Sequence, residues 1–142
     1  MVERTLVLIK PDAIANGFAG SIITRFLENG FQELKQLWVF PTADMIEEHY
    51  HNVFSRHPEY RESVTKYMTS GSFLAFVFER ENAIKEARRL VGPLTNAPPG
   101  TIRGDYRSDQ SDALHTVVHA SDSPEAAQNE IALWFPELAN PC

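Results

Sequence analysis

The stretch FLAFVFE, residues 73–79, is apolar at every position until its last. Successive side chains of a strand point to opposite faces, so a run apolar on both faces fits a central strand covered on both sides. Upstream, PEYRESVTKYMTSG (58–71) puts Tyr60, Val64 and Met68 on one helical face and ends at Gly71. Downstream, NAIKEARRLVGP (82–93) starts on an Asn cap and stops at Gly92 and Pro93. TLVLIK (5–10) is a short apolar run stopped by Pro11, another buried strand. GFAGSIITRFLENGF (17–31) spaces Phe18, Ile22 and Phe26 as an amphipathic helix closed by Gly30. Residues 31–40 read as a strand ended by Pro41, and ADMIEEHYHNVF (43–54) as a helix. LHTVVH (114–119) reads as a strand because β-branched residues favour one. Ser123 and Pro124 cap a last helix that runs to Pro136. The order β, α, β, α, α, β, α, loop, β, α is that of an α+β sandwich, an antiparallel sheet covered by helices.

With 142 residues, the chain is expected to be a single domain, 1–142. No run approaches the length of a membrane span, and the N-terminus lacks the pattern of a signal peptide. The one cysteine, Cys142, excludes an intrachain disulfide and suits a cytoplasmic protein. The net charge of -6 gives no global basic footprint, so no specific nucleic acid partner and no membrane are expected. An acidic chain that binds a small polyanion must gather its few cations in one place.

Three cations stand in unusual settings. Lys10 ends a buried strand, where it could reach a phosphate or be solvated. Arg88 lies in a helical row between Ile84 and Val91 and is expected to lean toward the core, with Arg89 outward. Arg103 sits beside a glycine in PGTIRGDY, where it could face an anion or pair with Asp105. His115 and His119 lie four apart. They could be a metal pair, a buried structural pair, or one working histidine and a bystander. The small polar residues after His119 favour an accessible imidazole at a strand-to-helix corner, a competent nucleophile when neutral. Its tautomer needs a partner. Glu130, on the flank of an apolar helix face, is a candidate, unless it snorkels to solvent. An accessible histidine among cations suggests phosphoryl transfer. The common ATP-binding motifs are absent.

ERTLVLIKPDAI, GSIITRF, EEHY, KYMTSG, PGTIRGDY, VVHASDS and EIALWFPEL together resemble the nucleoside diphosphate kinase family, in order and over nearly the whole chain. The resemblance implies a ferredoxin-like βαββαβ core with a four-stranded antiparallel sheet. It implies ping-pong transfer of a phosphoryl group from a nucleoside triphosphate to a nucleoside diphosphate through a phosphohistidine, with Mg2+ on the nucleotide phosphates. By position, His119 matches the nucleophile, Glu130 its orienting carboxylate and Ser121 the neighbouring serine. Lys10, Tyr50, Arg88, Thr95 and Arg103 match phosphate and ribose contacts, and Asp122 an acidic residue near the metal. Tyr60 falls where the family stacks a ring on the base, with Val64 beside it as an apolar wall. Stacking tolerates every base, so broad nucleotide specificity is expected. A homo-oligomer is also expected.

The chain departs from the pattern at Thr116, where the family commonly has an Asn that contacts the ribose, and at Asn16, where Arg is usual. The loop at 96–100 is shorter than usual, and the stretch 106–116 about three residues longer. A weakened member that only binds nucleotide or protein, and a metal protein using His115 and His119, are the alternatives. Retention of His119, Lys10, Arg88, Arg103 and Glu130 favours an active enzyme.

Overall fold

The computed structural model describes residues 2–109, 112 and 114–138. Cys142 lies outside them. Strand β1 (Val2–Ile9) leads into a short helix, α1 (Pro11–Ala15), and then α2 (Ala19–Glu28). Strand β2 (Gln32–Val39) is followed by α3 (Ala43–His49), α4 (His51–Arg56), a 3-10 turn (Pro58–Tyr60) and α5 (Arg61–Met68). Then come β3 (Phe73–Glu81), α6 (Ala83–Val91), α7 (Ile102–Tyr106), β4 (Val118–Ala120) and α8 (Pro124–Trp134), with a closing 3-10 turn (Pro136–Leu138). The strands form one antiparallel sheet in the order β2-β3-β1-β4.

The expected central strand is β3, flanked by β2 and β1. Its register with β1 divides the core. Leu6 and Leu8 lie opposite Val77 and Ala75, while Val7 lies opposite Phe76. Paired residues share a face, so the first set joins Ile46, Phe54, Met68, Ile131 and Trp134 on one side of the sheet. The second set joins Ile22, Phe26, Phe78, Ala87 and Leu90 on the other. Phe26 stacks on Phe78 with ring centroids 5.0 Å apart. Both faces are thus covered by helices.

Several local readings are corrected. The helix expected over 43–54 is broken at Tyr50, whose backbone (φ -97°, ψ 18°) ends α3 and starts α4. The loop expected after Gly92 contains α7, capped by the Thr101 hydroxyl, which accepts from Gly104 N. The strand expected over 114–119 shrinks to Val118–Ala120. Asn82 precedes α6 but does not cap it. Its backbone is left-handed (φ 54°), whereas side-chain capping goes with an extended residue. Glu3 on β1 takes over this role, its Oε1 accepting from Ile84 N at 3.1 Å. Ser123 does cap α8, accepting from Ala126 N at 3.0 Å.

The cap formed by Glu3 carries a stability effect. Glu3→Ala is expected to destabilise the fold by about 0.5–2 kcal/mol, as loss of a helix N-cap does. Urea unfolding would show this as a lower midpoint at unchanged slope; an unchanged midpoint would mean that water replaces Glu3.

Candidate active site

The site begins where β1 meets β4. Backbone N of Lys10 donates to Val117 O at 2.9 Å, and Val117 N donates to Asp12 Oδ2 at 3.1 Å. Between them Val118 N donates to Thr116 O at 2.7 Å, two residues apart, so Val117 is the centre of a γ-turn with φ 58°. For a β-branched residue this region is strained, at a cost of about 1–3 kcal/mol. The two clamping bonds from residues 10 and 12 hold it there and override the strand propensity of the TVV run. The turn separates the two histidines. His115 lies outside the sheet, its Nδ1 2.6 Å from Asp112 Oδ2 and its ring 4.7 Å from that of Tyr67. It is a loop anchor, and the metal pair with His119 does not form.

His119 pairs with Leu8, which places it on the face shared by Leu6, Trp134 and Ile46. There its Nε2 lies 2.9 Å from Glu130 Oε1 on α8. The same oxygen accepts from the hydroxyl of buried Ser121 at 2.8 Å. Ser121 is itself fixed to β1, its Oγ accepting from Leu6 N at 3.1 Å. Glu130 therefore does not snorkel; its side chain is 14% exposed. Burial raises its pKa, but the hydrogen bond and charge of His119, with His49 and Ser121, outweigh burial and leave it below the ordinary carboxylate value. A carboxylate accepts at Nε2–H and so leaves the lone pair on Nδ1 of the neutral ring. No protein group among the described residues bonds that Nδ1.

The cations converge beside this corner. Lys10 is buried, and its Nζ donates to Thr116 Oγ1 at 2.8 Å. Arg103 is also buried and donates to three backbone carbonyls, Thr116 O at 3.2 Å, Gly92 O at 2.9 Å and Val118 O at 2.8 Å. Asp105, the alternative partner of Arg103, pairs instead with Arg25 at 2.7 Å. Arg107, which the sequence reading passed over, is buried and bonds the carbonyls of Leu94 and Asp112. Arg88 does not lean into the core. It is exposed, and its guanidinium crosses to Ala120 O at 3.2 Å, because a long side chain can leave the apolar row of its helix. These charges repel one another. The Lys10 pKa is pushed down to about 8, by burial first and by Arg103 next. Arg103 falls to about 10, by burial first and then by Arg88 and Arg107. Crowded like charges destabilise a fold unless an anion offsets them.

Tyr50 sits at the break between α3 and α4, against the same apolar face, its hydroxyl pKa raised by burial and by Glu130. Val64 packs on that face as a partly buried wall. Tyr60 is 46% exposed, with its ring 5.3 Å from His57. Thr95 and Asp122 are exposed, and no hydrogen bond or ring contact among the described residues joins Tyr60, Thr95 or Asp122 to the His119 cluster. Thr116 is buried and its hydroxyl engages Lys10, so a ribose contact would have to share that oxygen. Sequence reading missed His49 and Tyr67. Tyr67 donates to Asp12 Oδ1 and accepts from Asp12 N at 3.0 Å, bracing the loop that holds Val117. No helix among the described residues is long and apolar enough to cross a membrane.

The Lys10 setting can be read directly. Lysine NMR should show one ammonium titrating near pH 8, and Thr116→Val should move it lower still, because the charged form loses its acceptor. Titration with the bulk of the lysines would contradict the burial described.

The family model described as nucleoside diphosphate kinase matches residues 3–139. A nucleoside diphosphate kinase of Pyrococcus furiosus is 40% identical over 138 residues, covering 94% of this chain and 83% of its own. That of Synechococcus elongatus is 39% identical over 137 residues, covering 94% and 88%. The structure of the Aquifex aeolicus nucleoside diphosphate kinase superposes with a TM-score of 0.86 at 37% identity, covering 95% and 96%. A halophilic nucleoside diphosphate kinase from Halobacterium salinarum, in complex with CDP, gives 0.87 at 34% identity, covering 95% and 88%.

Proposed function

The chain belongs to the nucleoside diphosphate kinase family and is a phosphotransferase of that activity; from that premise we propose that His119 carries the phosphoryl group in a ping-pong exchange. The observation that supports this is the pairing of Nε2 with Glu130, which leaves the Nδ1 lone pair open, with Arg103 and Arg88 bonded to the carbonyls of the residues on either side, Val118 O and Ala120 O. In the first half-reaction Nδ1 attacks the terminal phosphorus of a nucleoside triphosphate. The N–P bond forms as the bond to the bridging oxygen breaks, and the electron pair leaves with the nucleoside diphosphate. The Nε2 proton stays on the ring, held by Glu130, whose charge steadies the cationic phosphoimidazole. In the second half, a terminal oxygen of another diphosphate attacks the phosphorus and returns Nδ1 to its lone pair.

Charge stabilisation in such transfers comes from fixed cations. Lys10 and Arg103 supply charge from the buried side, and Arg88 from the exposed side. Tyr60 and Val64 are assigned to the base, Tyr50, Thr95 and Thr116 to ribose and phosphate, with the Thr116 hydroxyl shared with Lys10. Mg2+ arrives as part of the nucleotide substrate. Exposed Asp122, three residues after His119, would be the carboxylate available to offset the ion's charge, since it bonds no other described residue. The working unit is a single domain, 1–142, placed in the cytoplasm. A homo-oligomer is supported by β2, an edge strand that exposes Leu37 and Trp38 and is followed at once by exposed Phe40. Unpaired apolar edges invite pairing with a second copy.

Incubation with γ-labelled ATP should give acid-labile label on the protein, discharged by any nucleoside diphosphate and absent from His119→Gln. Label retained by that variant, or transfer with no labelled protein on the path, would refute the assignment. Glu130→Gln should keep the label but lower kcat roughly 10- to 100-fold, the worth of one hydrogen bond to a charged group. The pH dependence has a defined sign. Lys10 loses its charge as pH rises through about 8, so kcat/KM should fall above that value in the free enzyme. Lys10→Arg should move the limb to higher pH. For assembly, sedimentation should give a dimer or larger, and Trp38→Glu a smaller species; a monomeric parent would exclude the edge pairing.

A further inference from the structure

Helix α8 carries Glu130 and Trp134 four residues apart, so both leave the same face. Glu130 meets His119 directly. Trp134 meets it through an intermediary, because its indole Nε1 donates to Nδ1 of His49 at 2.9 Å. The His49 ring in turn lies across that of His119, with centroids 4.7 Å apart and planes at 74°. Trp134 is itself buried and set edge-on to Phe73, with centroids 5.6 Å apart. His49 ends α3 immediately before the break at Tyr50, whose ring lies 4.6 Å from its own. The break thus directly follows the residue whose ring packs on that of His119.

His49, His119 and Glu130 each bring a ligand atom within 4.8 Å of the others, and two histidines with a carboxylate can bind zinc. The Trp134 bond opposes that use. An indole N–H only donates, so Nδ1 of His49 holds a lone pair and the neutral ring keeps its proton on Nε2. Ligation through Nε2 would move the proton to Nδ1, where it would face the indole proton. Ligation through Nδ1 would break the bond. Burial, then the charge of His119, pushes the His49 pKa down to about 3. The ring therefore stays uncharged beside the nucleophile, with Glu130 and Lys10 as the other charged groups acting on it.

We propose that His49 is a positioning residue for phosphoryl transfer, held in place by the Trp134 hydrogen bond, its ring packed across the His119 imidazole so that this does not turn out of line. The inference rests on His119 as phosphoryl carrier. A nucleophile displaced by a fraction of the ring width loses rate rather than nucleotide affinity. Slippage on the ångström scale costs about 100-fold.

The test uses the full chain with His49→Ala, His49→Phe and Trp134→Phe, read by single-turnover phosphorylation from ATP and by KM for ATP. His49→Ala is expected to slow phosphorylation roughly 10- to 100-fold with KM within about twofold. His49→Phe, which restores a ring without an acceptor, should recover most of that loss. Trp134→Phe should give a smaller loss. In 15N-labelled histidine spectra it should also shift the Nδ1 resonance of His49, which loses its hydrogen bond from the indole. A His49→Ala rate within twofold of the parent, or a Phe variant no better than Ala, overturns the proposal. If His49→Ala does not fold, Trp134→Phe decides, and an unchanged phosphorylation rate overturns the proposal. Labelling of His119→Gln would instead bring down the carrier assignment itself, so the two failures are distinct.

Discussion

The tie between the end of β1 and the start of β4 is the constraint on which the site depends. Two bonds hold the peptide groups of Val117, one from Lys10 N and one to the Asp12 carboxylate. They force a residue that prefers extended backbone into a left-handed turn. That turn sets the register in which His119 faces Leu8 and not Ile9. A slip of one residue would send His119 to the opposite face of the sheet, away from Glu130. The same turn presents the Thr116 hydroxyl to Lys10 and the Thr116 and Val118 carbonyls to Arg103. One strained residue thus aims His119 at Glu130 and anchors two of the cations.

The electrostatics follow from how those cations are held. Buried charge is costly unless hydrogen-bonded. Arg103 offsets that cost by donating to three backbone carbonyls, which add no negative charge of their own. Lys10 is likewise held by a neutral hydroxyl. Carboxylates are kept to other tasks: Asp105 holds Arg25, Asp12 holds Val117 and Tyr67, and Glu130 holds His119. A chain of net charge -6 can in this way offer a local positive field to a polyphosphate.

Much of this was legible in the sequence. The two-faced apolar run over 73–79 identified the central strand, and small residues after His119 marked the corner. Glu130 stood out as a carboxylate beside an apolar helix face. What escaped was decided by contacts distant along the chain. LHTVVH has strand propensity throughout, but the bonds of Val117 with Lys10 and Asp12 hold it off the strand, which starts at Val118. Asn82 has the composition of a cap, but Glu3 on the neighbouring strand supplies the oxygen. Arg88 sits in an apolar helical row, yet its length carries the charge out to Ala120 O. His49 gave no local signal, because its role depends on where α8 places Trp134. The resemblance of the motifs supplied residue types and order; the fold supplied which atom of each faces which.

The central claim is that Glu130 occupies one ring nitrogen of His119 and thereby assigns the chemistry to the other. The most direct measurement is the site of phosphorylation on the ring, read by 31P–15N correlation in protein labelled with 15N-histidine and charged with ATP in the absence of acceptor. The account predicts phosphorus bonded to Nδ1 of His119, with Nε2 protonated. Phosphorus on Nε2, or on any other histidine, would contradict it.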